Sequence, residues 1–185
     1  SAIFNESEGI KKRFNKKVDG IPYDGKYIFS AMGYNFLPSE ISAAFAIEQV
    51  KKLKKNISTR IKNFEFLKKF FNKYKNYIKL PEQYKSVRTG WLAFPIVLKE
   101  HTKIERKKLQ IYLEKKGIQT RTIFTGNILR QPIMKGQFYK KHKNAGLVSD
   151  DVMKNGILIG CHHGLKLNEL KYMCLMYKKY FDDIN

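Results

Sequence analysis

One stretch sets the terms for everything else in this chain. From Ile41 to Phe71 the apolar residues Ala44, Ile47, Val50, Leu53, Ile57, Ile61, Phe64, Leu67 and Phe71 recur in steps of three and four. That spacing lines them along one face of a helix with 3.6 residues per turn. The opposite face is nearly all Lys, Asn, Gln and Glu. Ser39 stands where an N-cap belongs, and Glu40 suits the positive end of the helix dipole. No Pro or Gly interrupts before Pro81. The pattern predicts a helix of about ten turns, ~50 Å long, ending near Tyr77. Its stripe needs cover from the rest of the chain. If that cover is complete, truncating Leu53 to Ala costs about 2–5 kcal/mol.

The stretch before this helix reads differently. Residues 1–32 show no period; Lys11, Lys12, Arg13, Lys16 and Lys17 form a basic run. Gly20, Pro22 and Gly25 read as loop punctuation, and Tyr27-Ile28-Phe29 as a short strand. Residues 1–38 are thus expected to be an irregular lead-in segment, and residues 39–185 a domain. Beyond the helix, Thr89–Leu98 reads as an apolar strand, with Pro95 placing it at an edge or bulge. Ile104–Lys116 is a short amphipathic helix closed by Gly117. Ile118–Phe124 alternates as a second strand, and Thr125–Pro132 is a polar loop. Tyr139–Lys143 is basic and expected to be exposed. Ser149 caps a short helix that Gly156 stops. Ile157–Ile159 is a buried third strand, and Asn168–Phe181 a closing helix with Leu170, Met173 and Tyr177 on one face. About three strands with helices packed on them define an α+β layer.

Composition bounds the partners. Apolar content of 43% supports a packed core, and no run is long enough to span a bilayer. Cys161 and Cys174 are too few for a disulfide framework, which fits a reducing cytoplasm. The net charge of +21 raises the case for a nucleic-acid-binding module. Against it, lysine dominates arginine and is spread along every helix, whereas base-reading sites favour Arg. There is no G-x-G-x-x-G, Walker A or G-x-S-x-G sequence. Cys161-His162-His163 has metal-ligand types at the wrong spacing, because neighbours on a strand point to opposite faces. It reads better as a turn hinged by Gly160 and Gly164. Asp150-Asp151 and Asp182-Asp183 read as solvated helix-terminal caps. No catalytic residue is singled out. The loop from Arg121 to Arg130 stands apart: Thr120, Arg121, Thr125, Asn127, Arg130 and Gln131 cluster after a strand. Paired guanidinium groups suit a phosphate or pyrophosphate, and a surface loop with backbone-capping side chains accounts for the same residues equally well.

An ordered set of motifs resembles the nucleotide-sugar aminotransferase family, fold type I pyridoxal-phosphate enzymes. The set comprises K-R-F at 12–14, I-P-Y-D-G-K-Y at 21–27, G-Y-N at 33–35 before an S-E-I-S-A-A helix start, and I-G-x-x-x-G-L at 159–165. The run T-R-T-I-F-T-G-N-I-L-R-Q-P at 120–132 resembles the branch that removes the 3-hydroxyl of 4-keto-6-deoxy nucleotide sugars with pyridoxamine phosphate. The resemblance implies the C-terminal small domain of such an enzyme. It also implies a larger N-terminal domain holding the cofactor and its catalytic Lys or His, and a homodimer. It assigns Asn35 to the cofactor phosphate of the neighbouring subunit, and Arg121, Asn127 and Arg130 to the nucleotide-sugar site. The implied chemistry is loss of the C3 hydroxyl with the pyridine ring as electron sink. Some 3-dehydratases carry clustered cysteines for an iron–sulfur centre in the segment matching 1–14; none stand there, so no cluster is expected. Gly25 stands where dehydratases often have a His, which keeps a sugar aminotransferase as the alternative.

Overall fold

The computed structural model describes residues 13–29, 31–34, 36, 38–102, 104–140 and 146–184, the side chain of Lys26 excepted. Asn35, Lys11, Lys12 and Lys141–Lys143 lie outside the described residues. The chain divides into two compact units, Ser1–Gln49 and Val50–Asn185.

The first unit contains a hairpin of β1 (Lys16–Val18) and β2 (Ile21–Tyr23), with Val18 opposite Ile21. Asp19 and Gly20 form its turn with φ of 49° and 82°. Two consecutive positive φ values make the mirror-image turn whose twist matches that of paired strands, and Asp-Gly is a preferred sequence for it. The punctuation expected at Gly20 and Pro22 is thus a hairpin turn and the strand that follows it. Asp24 accepts from Arg13 Nε at 2.7 Å and also pairs with its Nη2. Residues Gly25–Tyr27 form a 3-10 turn, closed by Tyr27 N donating to Asp24 O at 2.9 Å, so the strand expected at 27–29 is reduced to an isolated bridge at Phe29. Among the described residues of this unit no large apolar side chain is buried; Tyr34, Phe36 and Ile41 are each more than four-fifths exposed.

Helix α1 spans Glu40–Phe71, directly after Ser39, and continues as a 3-10 turn over Asn72–Tyr74. Its length and position match the periodicity, but its stripe is not uniformly covered. Phe64, Leu67 and Phe71 are buried, whereas Ile47, Val50 and Leu53 are about half exposed or more. The cost expected for Leu53 truncation is therefore corrected downward: half its surface already faces solvent.

The second unit is built on a four-stranded antiparallel sheet in the order β3 (Ile78–Lys79), β4 (Ala93–Leu98), β6 (Gly156–Gly160), β5 (Thr120–Arg121). Four strands replace the three expected, because Ile78–Lys79 pairs with Leu98 and Val97. β3 stops short of Pro95, which pairs with β6 alone, so the missing N–H of Pro95 disrupts no ladder on the β3 side. Phe94, Ile96 and Leu98 alternate into the core while Ala93, Pro95 and Val97 are half-buried. The stretch expected as strand 118–124 shortens to two residues. Phe124 turns to φ 47°, and its carbonyl accepts from Thr122 Oγ1 at 3.2 Å.

Among the described residues the unit has three further helices: α2 (Arg106–Lys115), α3 (Leu147–Asn155) and α4 (Leu167–Asp182). Gly117 closes α2 at φ 71°, with Ile118 N donating to Leu113 O and Gly117 N to Glu114 O, both at 3.0 Å. These are the two reversed bonds of a Schellman cap. α3 starts two residues earlier than expected and its N-cap is Gly146. Ser149 is not the cap; it lies in the first turn and its hydroxyl donates to Gly146 O at 3.2 Å. Leu109 and Leu113 of α2 and Leu170, Met173, Tyr177 and Phe181 of α4 join α1 and β4 in one core. Phe71 is its centre, with ring centroids 5.4 Å from Phe94 and 4.9 Å, edge-on, from Tyr177.

The Tyr177 hydroxyl is fully buried without a hydrogen-bond partner among the described residues. Burial drives its phenol far above the ordinary range. An unpaired buried hydroxyl is costly, and removing it without changing the ring relieves that cost. Tyr177→Phe is expected to raise stability by about 1 kcal/mol in thermal or urea melts. A loss of similar size would show that the hydroxyl has a partner.

Candidate functional site: an arginine loop clasped to a helix start

The site is built where β5 leaves the sheet and its following loop meets α3. Thr120 is fixed first: Glu114 Oε1 accepts from its N–H at 2.5 Å and from its hydroxyl at 2.9 Å. Arg121 stands opposite Leu158 in the ladder. Its side chain is exposed and makes no hydrogen bond or ion pair among the described residues. The chain then turns at Phe124, and Gly126 N donates to Ile123 O at 3.0 Å.

Asn127 is buried, 4% exposed. Its Oδ1 accepts from Leu129 N at 3.0 Å and so caps the 3-10 turn Ile128–Arg130. Its Nδ2 donates to Asp150 Oδ1 at 2.7 Å. Arg130 grips the same carboxylate, Nε to Oδ1 at 3.0 Å and Nη2 to Oδ2 at 2.7 Å. This two-bond geometry holds the guanidinium in the direction the carboxylate dictates. The hydrogen bond and charge of Asp150 raise the Arg130 pKa further. Gln131 Nε2 donates to Thr125 O at 2.9 Å and closes the loop.

Asp150 is the residue sequence reasoning missed. A carboxylate in a first helical turn ordinarily serves as a solvated cap, the role its sequence position suggests. Asp150 instead joins Asn127 and Arg130, 23 and 20 residues away. Asp151 is not a free cap either. Lys79 Nζ at 2.7 Å and Asn155 Nδ2 at 2.7 Å both donate to it, which holds its carboxyl below the usual range.

Cys161-His162-His163 forms the turn after β6. Cys161 is buried, its Sγ lies 3.6 Å from Arg60 O, and burial pushes its thiol up to about 12. His162 O accepts from Asn63 at 2.9 Å and His163 Nδ1 from Arg60 Nε at 3.3 Å. These contacts tie the turn to α1. Among the described residues no group of three His, Cys, Asp or Glu converges on one point.

Of the four residues singled out from sequence, the structure brings Asn127 and Arg130 together through Asp150. Arg121 precedes them on β5, and Asn35 lies outside the described residues. The groove of about 570 Å³ beside the clasp is lined by Lys79, Asp151, Lys154 and Glu100, which pair with one another.

An α+β unit with a long leading helix is the architecture the aminotransferase resemblance implies. The chain belongs to the DegT/DnrJ/EryC1/StrS aminotransferase family, whose profile matches residues 2–176. It is 30% identical to lipopolysaccharide biosynthesis protein RfbH of Salmonella typhimurium, over 92% of this chain and 39% of that protein. Among solved structures it superposes on E. coli GDP-4-keto-6-deoxy-D-mannose-3-dehydratase with bound hydrated PLP, at TM-score 0.70 and 33% identity, over 81% of this chain and 38% of that one. A variant of GDP-4-keto-6-deoxymannose-3-dehydratase with bound GDP-perosamine gives TM-score 0.71 at 33% identity, over 83% and 39%. Helicobacter pylori PseC, an aminotransferase, shares the fold at TM-score 0.72 with 19% identity, over 91% and 43%. The chain thus spans about two fifths of the length of the relatives it matches.

Proposed function

We propose that this chain is the C-terminal part of a pyridoxamine-phosphate-dependent 3-dehydratase acting on a 4-keto-6-deoxy nucleotide sugar in deoxysugar biosynthesis. One observation carries the reading: identity of 33% to dehydratases that hold PLP or a GDP-sugar, over a stretch that includes the clasped arginine loop. In this reading Arg121 and Arg130 meet the diphosphate of the nucleotide sugar, and Asn127 builds the turn that presents Arg130. Asn35 reaches the cofactor phosphate of a second subunit in a homodimer. The reactive centre belongs to a larger cofactor-holding domain, and we place the whole enzyme in the cytoplasm.

When bound, pyridoxamine phosphate supplies the amine and the electron sink for loss of the C3 hydroxyl. The described residues contribute binding and orientation. Two guanidinium groups offset the diphosphate charge, and the fork of Arg130 fixes its direction. Remote binding of this kind holds the sugar where the reaction takes place. The large apolar residues left exposed at Tyr34, Phe36, Ile41 and Phe45 support a missing neighbour, since patches of this kind mark interaction surfaces.

The complete enzyme, given GDP-4-keto-6-deoxymannose, pyridoxal phosphate and an amino donor, is expected to release a sugar lacking the C3 hydroxyl. This chain alone is expected to give no turnover; robust turnover would overturn the partial-enzyme reading. In the complete enzyme Arg130→Ala is expected to raise KM about tenfold or more, as loss of one charge-assisted phosphate contact of about 1.5–3 kcal/mol requires. Gly25, buried at a position where dehydratases often carry His, favours a second reading, a nucleotide-sugar aminotransferase. A product with a new C4 amine and its C3 hydroxyl retained would decide for it.

A further inference from the structure

Arginine has five N–H donors in one plane. Asp150 engages Arg130 from the side, through Nε and Nη2 at 3.0 and 2.7 Å. That grip leaves the end-on pair, one N–H of Nη1 and the outer N–H of Nη2, for a second anion. The side chain of Arg130 is 65% exposed and that of Asp150 34%, so a ligand can reach the guanidinium while most of the carboxylate side chain is covered. Asp150 is itself held. Asn127, buried in the loop, donates to its Oδ1, and the first turn of α3 carries its backbone. We propose that Asp150 is a positioning residue for the nucleotide sugar: it pre-sets the Arg130 fork so that the end-on N–H pair can take a phosphate oxygen of the diphosphate. The proposal rests on the nucleotide-sugar reading of Arg130 given above.

Two effects of the carboxylate oppose each other. Its negative charge lies near the proposed phosphate position and repels it. Its grip removes rotamer freedom that a long, exposed Arg would otherwise lose on binding. At an exposed site the repulsion is screened by solvent. The positioning effect wins, and the expected sign follows: losing the carboxylate weakens substrate binding although it removes a negative charge.

The test is steady-state kinetics of the complete enzyme with its GDP-linked sugar, alongside thermal melts. Asp150→Asn is expected to raise KM about fivefold while kcat changes by less than about twofold, a shift of about 1 kcal/mol. In the Arg130→Ala background the same substitution should leave KM where Arg130→Ala alone puts it, because the two residues act as one unit. If Arg130→Ala leaves KM unchanged, the nucleotide-sugar reading of the loop fails and the proposal with it. If Arg130→Ala raises KM but Asp150→Asn does not, or lowers it, only the positioning role is overturned. A fall in kcat at unchanged KM overturns it too, since that marks damage to the scaffold. Should Asp150→Asn fail to fold, Arg130→Lys carries the test. Lysine keeps the charge but cannot be gripped by two N–H groups in a fixed plane. KM is expected to rise about as far as with Asp150→Asn, and a wild-type KM would overturn the proposal.

Discussion

Gly126→Ala is expected to destabilise the second unit by about 2–4 kcal/mol and, on the function proposed above, to weaken nucleotide-sugar binding by the complete enzyme. Two costs combine. Gly126 has φ 66°, where an added Cβ is strained. A Cβ there would also stand 2.5 Å from Cβ and Cγ of Met153 and 2.9 Å from its Cα. The last of these is backbone of α3, so no rotamer change clears it. Loop or helix must move. Movement separates Asn127 and Arg130 from Asp150, because one partner rides on the loop and the other on the helix. A drop in melting temperature with a raised KM is the expected pair of readings. A fully stable Gly126→Ala protein with unchanged KM would mean that the loop does not dock on α3 in solution. Gly146 supports the same approach from the other side: at φ 104°, its missing Cβ would lie 2.9 Å from Asn127 Nδ2.

This clasp shows where sequence reasoning reached and where it stopped. The arginine loop stood out because two Arg in a lysine-rich chain are a compositional departure, and because 120–132 resembles a stretch of the dehydratase branch. Its carboxylate partner did not. Asp150 sits in a first helical turn, where the local rule gives a complete and bland explanation. Only the tertiary approach of loop and helix, permitted by two glycines, reveals the other role. The regular elements divide the same way. α1, α4 and the Gly117 cap were legible because 3.6-residue periodicity and a glycine after a helix are local signals. The two-residue strand β3 has no period to detect. The β1–β2 hairpin carried its signal in Asp19-Gly20, but Lys16-Lys17-Val18 does not alternate, and the glycine was read as an interruption. The expected strand at 118–124 alternates well and still ends at Arg121, because Phe124 takes a left-handed conformation that no propensity scale favours.

The contrast within α1 gives the second large effect. Leu67→Ala is expected to cost about 2–5 kcal/mol, the range for deleting a fully buried leucine and leaving a cavity. Leu67 is 0% exposed among Phe64, Phe71 and the core side chains of β4 and α4. Leu53 occupies the same stripe four turns earlier yet is 49% exposed. In this chain alone Leu53→Ala is expected to cost under about 1 kcal/mol, since little apolar surface is returned to water and no cavity forms. The two residues share chemistry, helix and face, so helix propensity cancels between them and the difference reports cover alone. In the complete enzyme the prediction changes for one of them. If the remainder of the protein covers the leading half of α1, Leu53→Ala there should approach the cost of Leu67→Ala. Urea melts of both variants in both contexts measure it. A Leu53 cost that stays small in the complete enzyme would show that this half of the stripe is solvent-facing by design. A large cost in the isolated chain would show that cover is already supplied within these 185 residues.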